Sequence, residues 1–381
     1  MNKIEINEIR KNLRSESGFM TIGKIASVYV KGCEDRTDVE DSILYMNTTH
    51  YNLMQSDLSE LILKKLCKVL TGKMGKSLLE FKINEPESIL MDTLYGRFET
   101  EDNIKNYIYH IIKNTEFISP YVIFAAHCTY SVIHKGEDVY EPDTSDPDAV
   151  IDTSNYNFII TCICPVEIQN NGLICTTEPS IESETDFIRV ISEPVHGWIY
   201  PAFNDRTPDT DRILYSAKSV KLVSPSIVEN VLGCDFFQKA DEQKNSFTAV
   251  LTKSIGDVLN YETVEQINDS LCILAEQNSH ETEPTTVNKE DVAEMLDAIG
   301  IDDTHKEHFE KVWKNTFDED AVLNVNALID SKSTLTAGSF KITYNNVDSE
   351  RVKISTDSYG KRTITIDIDD NISINGINVT S

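Results

Sequence analysis

The spacing of apolar residues changes repeatedly along this chain, and each change predicts a different element. Ile4, Ile6, Ile9 and Leu13 alternate with charged residues across 3–14 and predict a short amphipathic helix. β-Favouring residues then dominate 22–31, a predicted strand that Gly32 stops. Leu58, Leu61, Ile62, Leu66 and Val69 form one helical stripe; Asp57 and Glu60 have the spacing of an N-cap and N3, and Gly72 stands where a C′ glycine belongs. A strand at 78–83 and helices at 86–96 and 101–114 follow.

Two runs, 121–133 and 158–166, are apolar on both faces and rich in β-branched residues, as central strands are. After 185 the pattern predicts a helical piece, a mixed segment at 196–206, a strand at 212–216, and helices near 225–232, 240–256 and 261–277. The polar, proline-containing stretch 278–286 reads as a linker. Beyond it, Asn288 and Asp291 cap a helix bearing Val292, Met295, Leu296 and Ile299, which Gly300 ends. A second helix carries Phe309, Val312 and Trp313 and completes an αα-hairpin. The period then becomes alternating at 340–344, 352–356, 363–368 and 372–379, with Tyr359-Gly360 and Asn375-Gly376 as turns. The expected class is α+β: a mixed central sheet with helices in a main domain at 1–281, and an αα-hairpin with a small antiparallel sheet at 287–381.

Composition narrows the function classes. With 381 residues, 40% apolar and 26% charged, the chain is long enough for two cores and too apolar for global disorder. Its net charge of −28 opposes broad contact with a phosphate backbone. The charge is uneven, since residues 1–82 carry 13 Lys or Arg against 11 Asp or Glu and the rest carry a net −30. Arg10, Lys11, Arg14, Lys64, Lys65, Lys68, Lys73 and Lys76 therefore define either a basic face able to dock on RNA or a ribosome, or the solvated faces of two helices. Most of the eight cysteines lie in apolar runs and none forms a C-x-x-C pair, the start lacks an apolar signal core, and no run approaches a membrane span. The expectation is a cytoplasmic protein without membrane contact.

Motif by motif, the chemistry is sparse. The stretch Thr71-Gly72-Lys73-Met74-Gly75-Lys76-Ser77 has the look of a phosphate loop, but Leu70 occupies the first glycine position and the predicted order is helix, loop, strand. It is read as a helix stop. Seven carboxylates in 136–155 lack calcium-loop spacing and read as a solvated acidic excursion. His127, Cys128, Cys162 and Cys164 bring together metal-ligand types, yet without turn-borne pairs they read as buried core and no metal is expected. His305 and His308, three apart, do not make H-E-x-x-H and read as surface residues. Nucleophile-elbow and dinucleotide motifs are absent from the sequence, and no cofactor is expected.

The densest candidate is 196–212. His196, Tyr200, Asp205 and Arg206 have the types of a catalytic set, with His196 as general base, and Trp198, Phe203, Asn204 and Arg212 those of a binding wall. The same residues suit a braced turn, in which Asp205 and Asp209 cap and the two arginines pair with them. Either way the segment is the one to watch.

The chain also resembles, over nearly its full length, a bacterial family, mostly from Firmicutes, defined only as domain of unknown function 4317. The resemblance rests on the opening Met1-Asn2-Lys3-Ile4-Glu5-Ile6-Asn7-Glu8-Ile9-Arg10, the stop at 71–76, Ile163-Cys164-Pro165-Val166, Pro201-Ala202-Phe203-Asn204-Asp205-Arg206, and Asn375-Gly376-Ile377-Asn378-Val379. The segment 33–51 departs from the family's simpler hairpin and helix. The resemblance implies a cytoplasmic bacterial protein and carries no activity, cofactor or site residue. The reading that follows is an acidic, non-catalytic protein that binds or regulates an unidentified protein partner. Its rivals are a small-molecule enzyme with its site at 196–212 and an RNA-associated factor docking through the basic face.

Overall fold

A computed structural model describes residues 1–14, 18–35, 38–84, 89–133, 153–169, 173–175, 181–183, 188–278, 284–317, 321–330, 332–369, 372–374 and 377–379. The chain divides into two compact units, Met1–Glu242 with His280–Pro284, and Gln243–Ser279 with Thr285–Ser381. The fold is α+β. The acidic excursion falls at 134–152, outside the described residues.

The first unit contains, in chain order, α1 (Lys3–Arg14), β1 (Met20–Val30), β2 (Ile43–His50), α2 (Ser56–Val69), β3 (Leu78–Lys82), α3 (Ile89–Gly96), α4 (Glu101–Lys113), β4 (Tyr121–Ile133) and β5 (Thr153–Gln169). A short hairpin, β6 (Leu173–Cys175) and β7 (Ile181–Ser183), precedes β8 (Ile188–Ile191), β9 (His196–Tyr200), β10 (Ala202–Asn204), β11 (Thr207–Asp209) and β12 (Arg212–Ala217). The main sheet runs β2-β1-β4-β5-β9-β12-β3, with β8 paired to the far end of β5. All these pairings are antiparallel.

Central position explains the sequence of β4 and β5. Because side chains alternate across a strand, Ile123, Ala125, Ile159 and Ile163 join the core formed with Leu90, Tyr107, Ile108 and Ile111 of α3 and α4. Val122, Phe124, Phe158, Ile160 and Cys162 join a second core with Ile6 and Ile9 of α1 and Ile62 and Leu66 of α2. Helices on both faces require apolar residues at every position of the two middle strands.

Local details differ from the sequence expectation in three places. The N-cap of α2 is Gln55, without a side-chain cap, so Asp57 lies in the first turn, where its charge favours the helix dipole. That helix ends at Leu70, and the glycine in the left-handed region is Gly75 (φ 72), within a turn where the Lys73 carbonyl accepts from the amides of Lys76, Ser77 and Leu78. Strand β8 replaces the helical piece expected after 185, its exposed edge residues pairing with the end of β5.

The second unit contains α5 (Ala240–Ile255), α6 (Tyr261–Gln277), β13 (Thr286–Val287), α7 (Lys289–Ala298), α8 (Asp303–Thr316), β14 (Leu323–Asn324) and α9 (Val325–Leu328). Phe247, Ile255, Ile267 and Leu271 share one core with Leu296, Phe309 and Trp313. The linker expected at 278–286 therefore falls inside this unit's sequence span, and α5 and α6, expected in the main domain, share a core with the C-terminal helices. Asn288 and Asp291 form a reciprocal capping box, and Gly300 takes φ 88 after α7. The single C-terminal sheet expected from alternation is instead three separate hairpins: β15 (Lys332–Ala337) with β16 (Phe340–Asn345), β17 (Val352–Thr356) with β18 (Arg362–Ile366), and β19 (Ile372–Ile374) with β20 (Ile377–Val379). Their apolar residues are too few to build a shared buried face; Phe340 is 74% exposed and Tyr359 94%. Gly360 (φ 79) supplies the β17–β18 turn, whereas Asn375-Gly376 lies outside the described residues.

Candidate functional site

The segment 196–212 folds as strand β9, the hairpin β10–β11 and the start of β12. Alternation along β9 sends Trp198 and Tyr200 into the core under α3 and α4. Trp198 is fully buried and its indole N–H donates to the Tyr107 hydroxyl (2.9 Å), which also lies 2.7 Å from Thr161 Oγ1. Tyr200 donates to the Thr210 carbonyl (3.1 Å), and burial pushes its pKa up to about 12. Phe203 faces the opposite core, 4.6 Å from the Tyr156 ring. Trp198 and Phe203 of the expected binding wall are thus core residues on opposite faces of the sheet, and Tyr200 of the expected catalytic set shares the core of Trp198.

His196 is buried, with Nδ1 2.8 Å from the Tyr215 hydroxyl. That hydroxyl also accepts from the Ser224 amide (3.1 Å), so Tyr215 ties the His196 ring to the loop that follows β12. Burial lowers the His196 pKa to about 4. The ring is neutral at pH 7, and its Nδ1 is already engaged with Tyr215. Its outer edge borders a pocket of about 230 Å³ lined also by Lys68, Thr71 and Lys218.

Asp205 and Arg206 are the two central residues of the β10–β11 hairpin, since Asn204 pairs with Thr207. Both adopt left-handed φ, 50 and 58, as a two-residue primed turn requires. Neither is glycine, so the turn carries strain of roughly 1 kcal/mol per residue. Arg206 offsets it by donating to Glu8 Oε2 (2.6 Å) and to the Ile133 carbonyl (2.9 Å).

Beneath the hairpin lies a charged cluster that the sequence did not announce. Glu80 on β3, its side chain 1% exposed, accepts from Asn204 Nδ2 (3.0 Å) and from the Met1 ammonium, with Arg212 Nη1 at 3.6 Å. Asn204 Nδ2 also donates to Asp209 (2.8 Å), which leaves Asn204 Oδ1 buried without a partner. Nearby Glu5 is buried, and desolvation raises its pKa against the opposing pull of the Asn2 amide, the N-terminal charge and the amides of Asp205 and Arg206. The sequence reading singled out neither Glu5 nor Glu80; the pairing of β3 with β12 brings Glu80 here.

The remaining candidates also resolve into places. Cys162 and Cys164 lie with their sulfurs 3.9 Å apart in the core, and burial raises the Cys162 pKa well above the usual thiol value. Cys128 shares that core, whereas alternation puts His127 on the other face of β4, its Nε2 buried without a partner and its pKa lowered by burial to about 4. Among the described residues no three His, Cys, Asp or Glu side chains converge as a metal site requires. His305 is half-buried between Asp302 (2.8 Å) and Asp257 (3.1 Å), rather than fully at the surface, and His308 is exposed.

Four of the eight basic residues near the N-terminus line a groove of about 1060 Å³ between the end of α1, the start of β1 and α2, and Arg10, Lys11, Lys73 and Lys76 are not among its lining. Arg14, Lys64, Lys65 and Lys68 border it, and Leu13, Ile22 and Leu63 are among the apolar residues within it. Lys65 pairs with Glu193 (3.0 Å) and Lys64 with Glu60 (3.7 Å), whereas Arg14 and Lys68 have no carboxylate partner among the described residues. Leu61, 58% exposed, also lines it.

Two helical layers enclosing an antiparallel sheet, with a second helical unit and terminal hairpins, define the architecture. A family model described as a domain of unknown function, DUF4317, matches residues 1–377, and the chain belongs to that family. No curated protein matches it.

Proposed function

We propose that this is a non-catalytic binding protein whose first unit docks a protein partner in the α1–α2 groove. The observation that carries the reading is the groove: Arg14 and Lys68, without a carboxylate partner among the described residues, lie beside the exposed Leu61 and the partly buried Met20, Ile22 and Leu63 on a chain of charge −28. Enzymatic use of 196–212 is less well supported, because Trp198, Tyr200, Asn204 and Arg206 are committed to bonds within the fold. The cysteines at 33, 67, 128, 162, 164, 234 and 272 are free thiols, which favours a reducing compartment, and we place the protein in the cytoplasm. Among the described residues no helix is long and apolar enough to cross a membrane.

The test is crosslinking in a lysate of the source organism, with wild type and Leu61→Asp compared. A partner crosslinked at Lys64, Lys65 or Lys68 and lost on Leu61→Asp supports the reading. Equal capture by both proteins, or turnover of a metabolite by the purified chain, sinks it.

A further inference from the structure

Resting on that reading, we infer that the groove's occupant is an acidic amphipathic segment, its apolar side chains on the aliphatic floor and its carboxylates against Arg14 and Lys68. Three features select it over a nucleic acid. First, Glu60 and Glu193 lie in the groove and already engage Lys64 and Lys65, so among the described residues Arg14 and Lys68 are the lining cations without a carboxylate partner, instead of a continuous row. A phosphate backbone presents a charge about every 3.4 Å along each strand and would meet those carboxylates. Discrete carboxylates on a peptide can be spaced to avoid them.

Second, the floor is aliphatic. Leu13, Met20, Ile22 and Leu63 supply it, and Tyr51 is the aromatic residue among the lining, whereas single-stranded nucleic acid is gripped by successive stacking platforms. Leucine or isoleucine side chains match such a surface better than bases do. Third, Leu61, Lys64, Lys65 and Lys68 follow one another at three- and four-residue steps along α2. This places an apolar anchor and cations on one helix face, the complement of a partner helix with apolar and acidic residues at i, i+3, i+4 and i+7. The positive rim is also local to a part of the chain with near-balanced charge, while the net −30 lies elsewhere in the sequence.

The experiment is fluorescence anisotropy with the full chain and three labelled probes: a leucine–glutamate amphipathic peptide of about 20 residues, long enough to form a helix, its leucine–lysine counterpart, and oligouridine. The leucine–glutamate peptide is expected to bind alone of the three. The Arg14→Glu/Lys68→Glu double variant should weaken it about tenfold or more, as should Leu61→Asp, with weaker binding as salt rises. All three positions are exposed, so an unchanged melting temperature will establish that each variant is folded. Oligouridine binding that depends on Arg14 and Lys68 overturns the inference in favour of nucleic acid. Peptide binding that is absent, or indifferent to the variants, overturns it as well. If Leu61→Asp abolishes capture of the lysate partner while the acidic peptide fails to bind, the inference falls and the docking reading stands. If capture is indifferent to Leu61→Asp, both fall.

Discussion

At the scale of single residues, burial decides what a polar side chain can do. Asn204 is 6% exposed, and its amide nitrogen separates two carboxylates, Glu80 and Asp209. Asn204→Ala withdraws that donor from both and should cost about 2 kcal/mol in urea unfolding. Asp205, next along the chain, has its φ at 50 and lies on the surface. Asp205→Gly relieves the left-handed strain and should change stability by less than about 1 kcal/mol. A ligand-binding role for these two neighbours would give the opposite order, with stability barely moved and a ligand-induced melting shift lost. The aromatic positions 198, 200 and 203 were read from sequence as a pocket or a braced turn, and their full burial was not legible there. What they bond to was not either, because Tyr107 stands 91 residues from Trp198 and Glu80 124 from Asn204.

At the scale of elements, the periodicity located most helices and strands because a face buried against a sheet imposes its own spacing. It was less informative about how closely elements approach. A Cβ on Gly197 would lie 2.5 Å from Val69 Cγ2 and 2.8 Å from the Thr161 carbonyl, so the missing side chain is what lets α2 settle on β9. Gly197→Ala should therefore cost about 2–3 kcal/mol or shift α2 bodily, since the backbone oxygen cannot yield as a side chain could. Gly75→Ala is a milder change, about 1 kcal/mol for an alanine held at φ 72. Circular dichroism melts of the two variants should rank them in that order. Equal losses would mean that the turn after α2, and not its packing, limits stability. The hairpins at 332–379 illustrate the other limit of pattern reading, because alternation marked strands from 340 onward but not β15, and says nothing about whether neighbouring pairs join into a sheet.

At the scale of the whole molecule, the two units have cores that share no residue, and each contains one tryptophan, Trp198 in the first and Trp313 in the second. Their buried and paired histidines give them opposite responses to acid. His196 is held near pKa 4 in the fold against about 6.5 when unfolded. The unfolded chain therefore takes up a proton first as pH falls from about 6.5, and the first unit loses about 2 kcal/mol by pH 5 from this group, reaching its limit below the folded pKa. His127, lowered to about 4 by burial, adds in the same direction, while Glu5, raised by burial, acts against them. His305 in the second unit has its pKa raised by the hydrogen bonds of Asp257 and Asp302. Its contribution is fully present below about 6.5 and is lost as pH rises through the higher folded value. Fluorotryptophan labelling read by fluorine NMR follows each unit separately during urea titration. Between about pH 7.5 and 5.5 the Trp198 midpoint should fall and the Trp313 midpoint should hold or rise. His196→Gln should flatten the first response and leave the second unchanged, and midpoints that moved together in every case would show that the units unfold as one and that these histidines do not set their pH dependence.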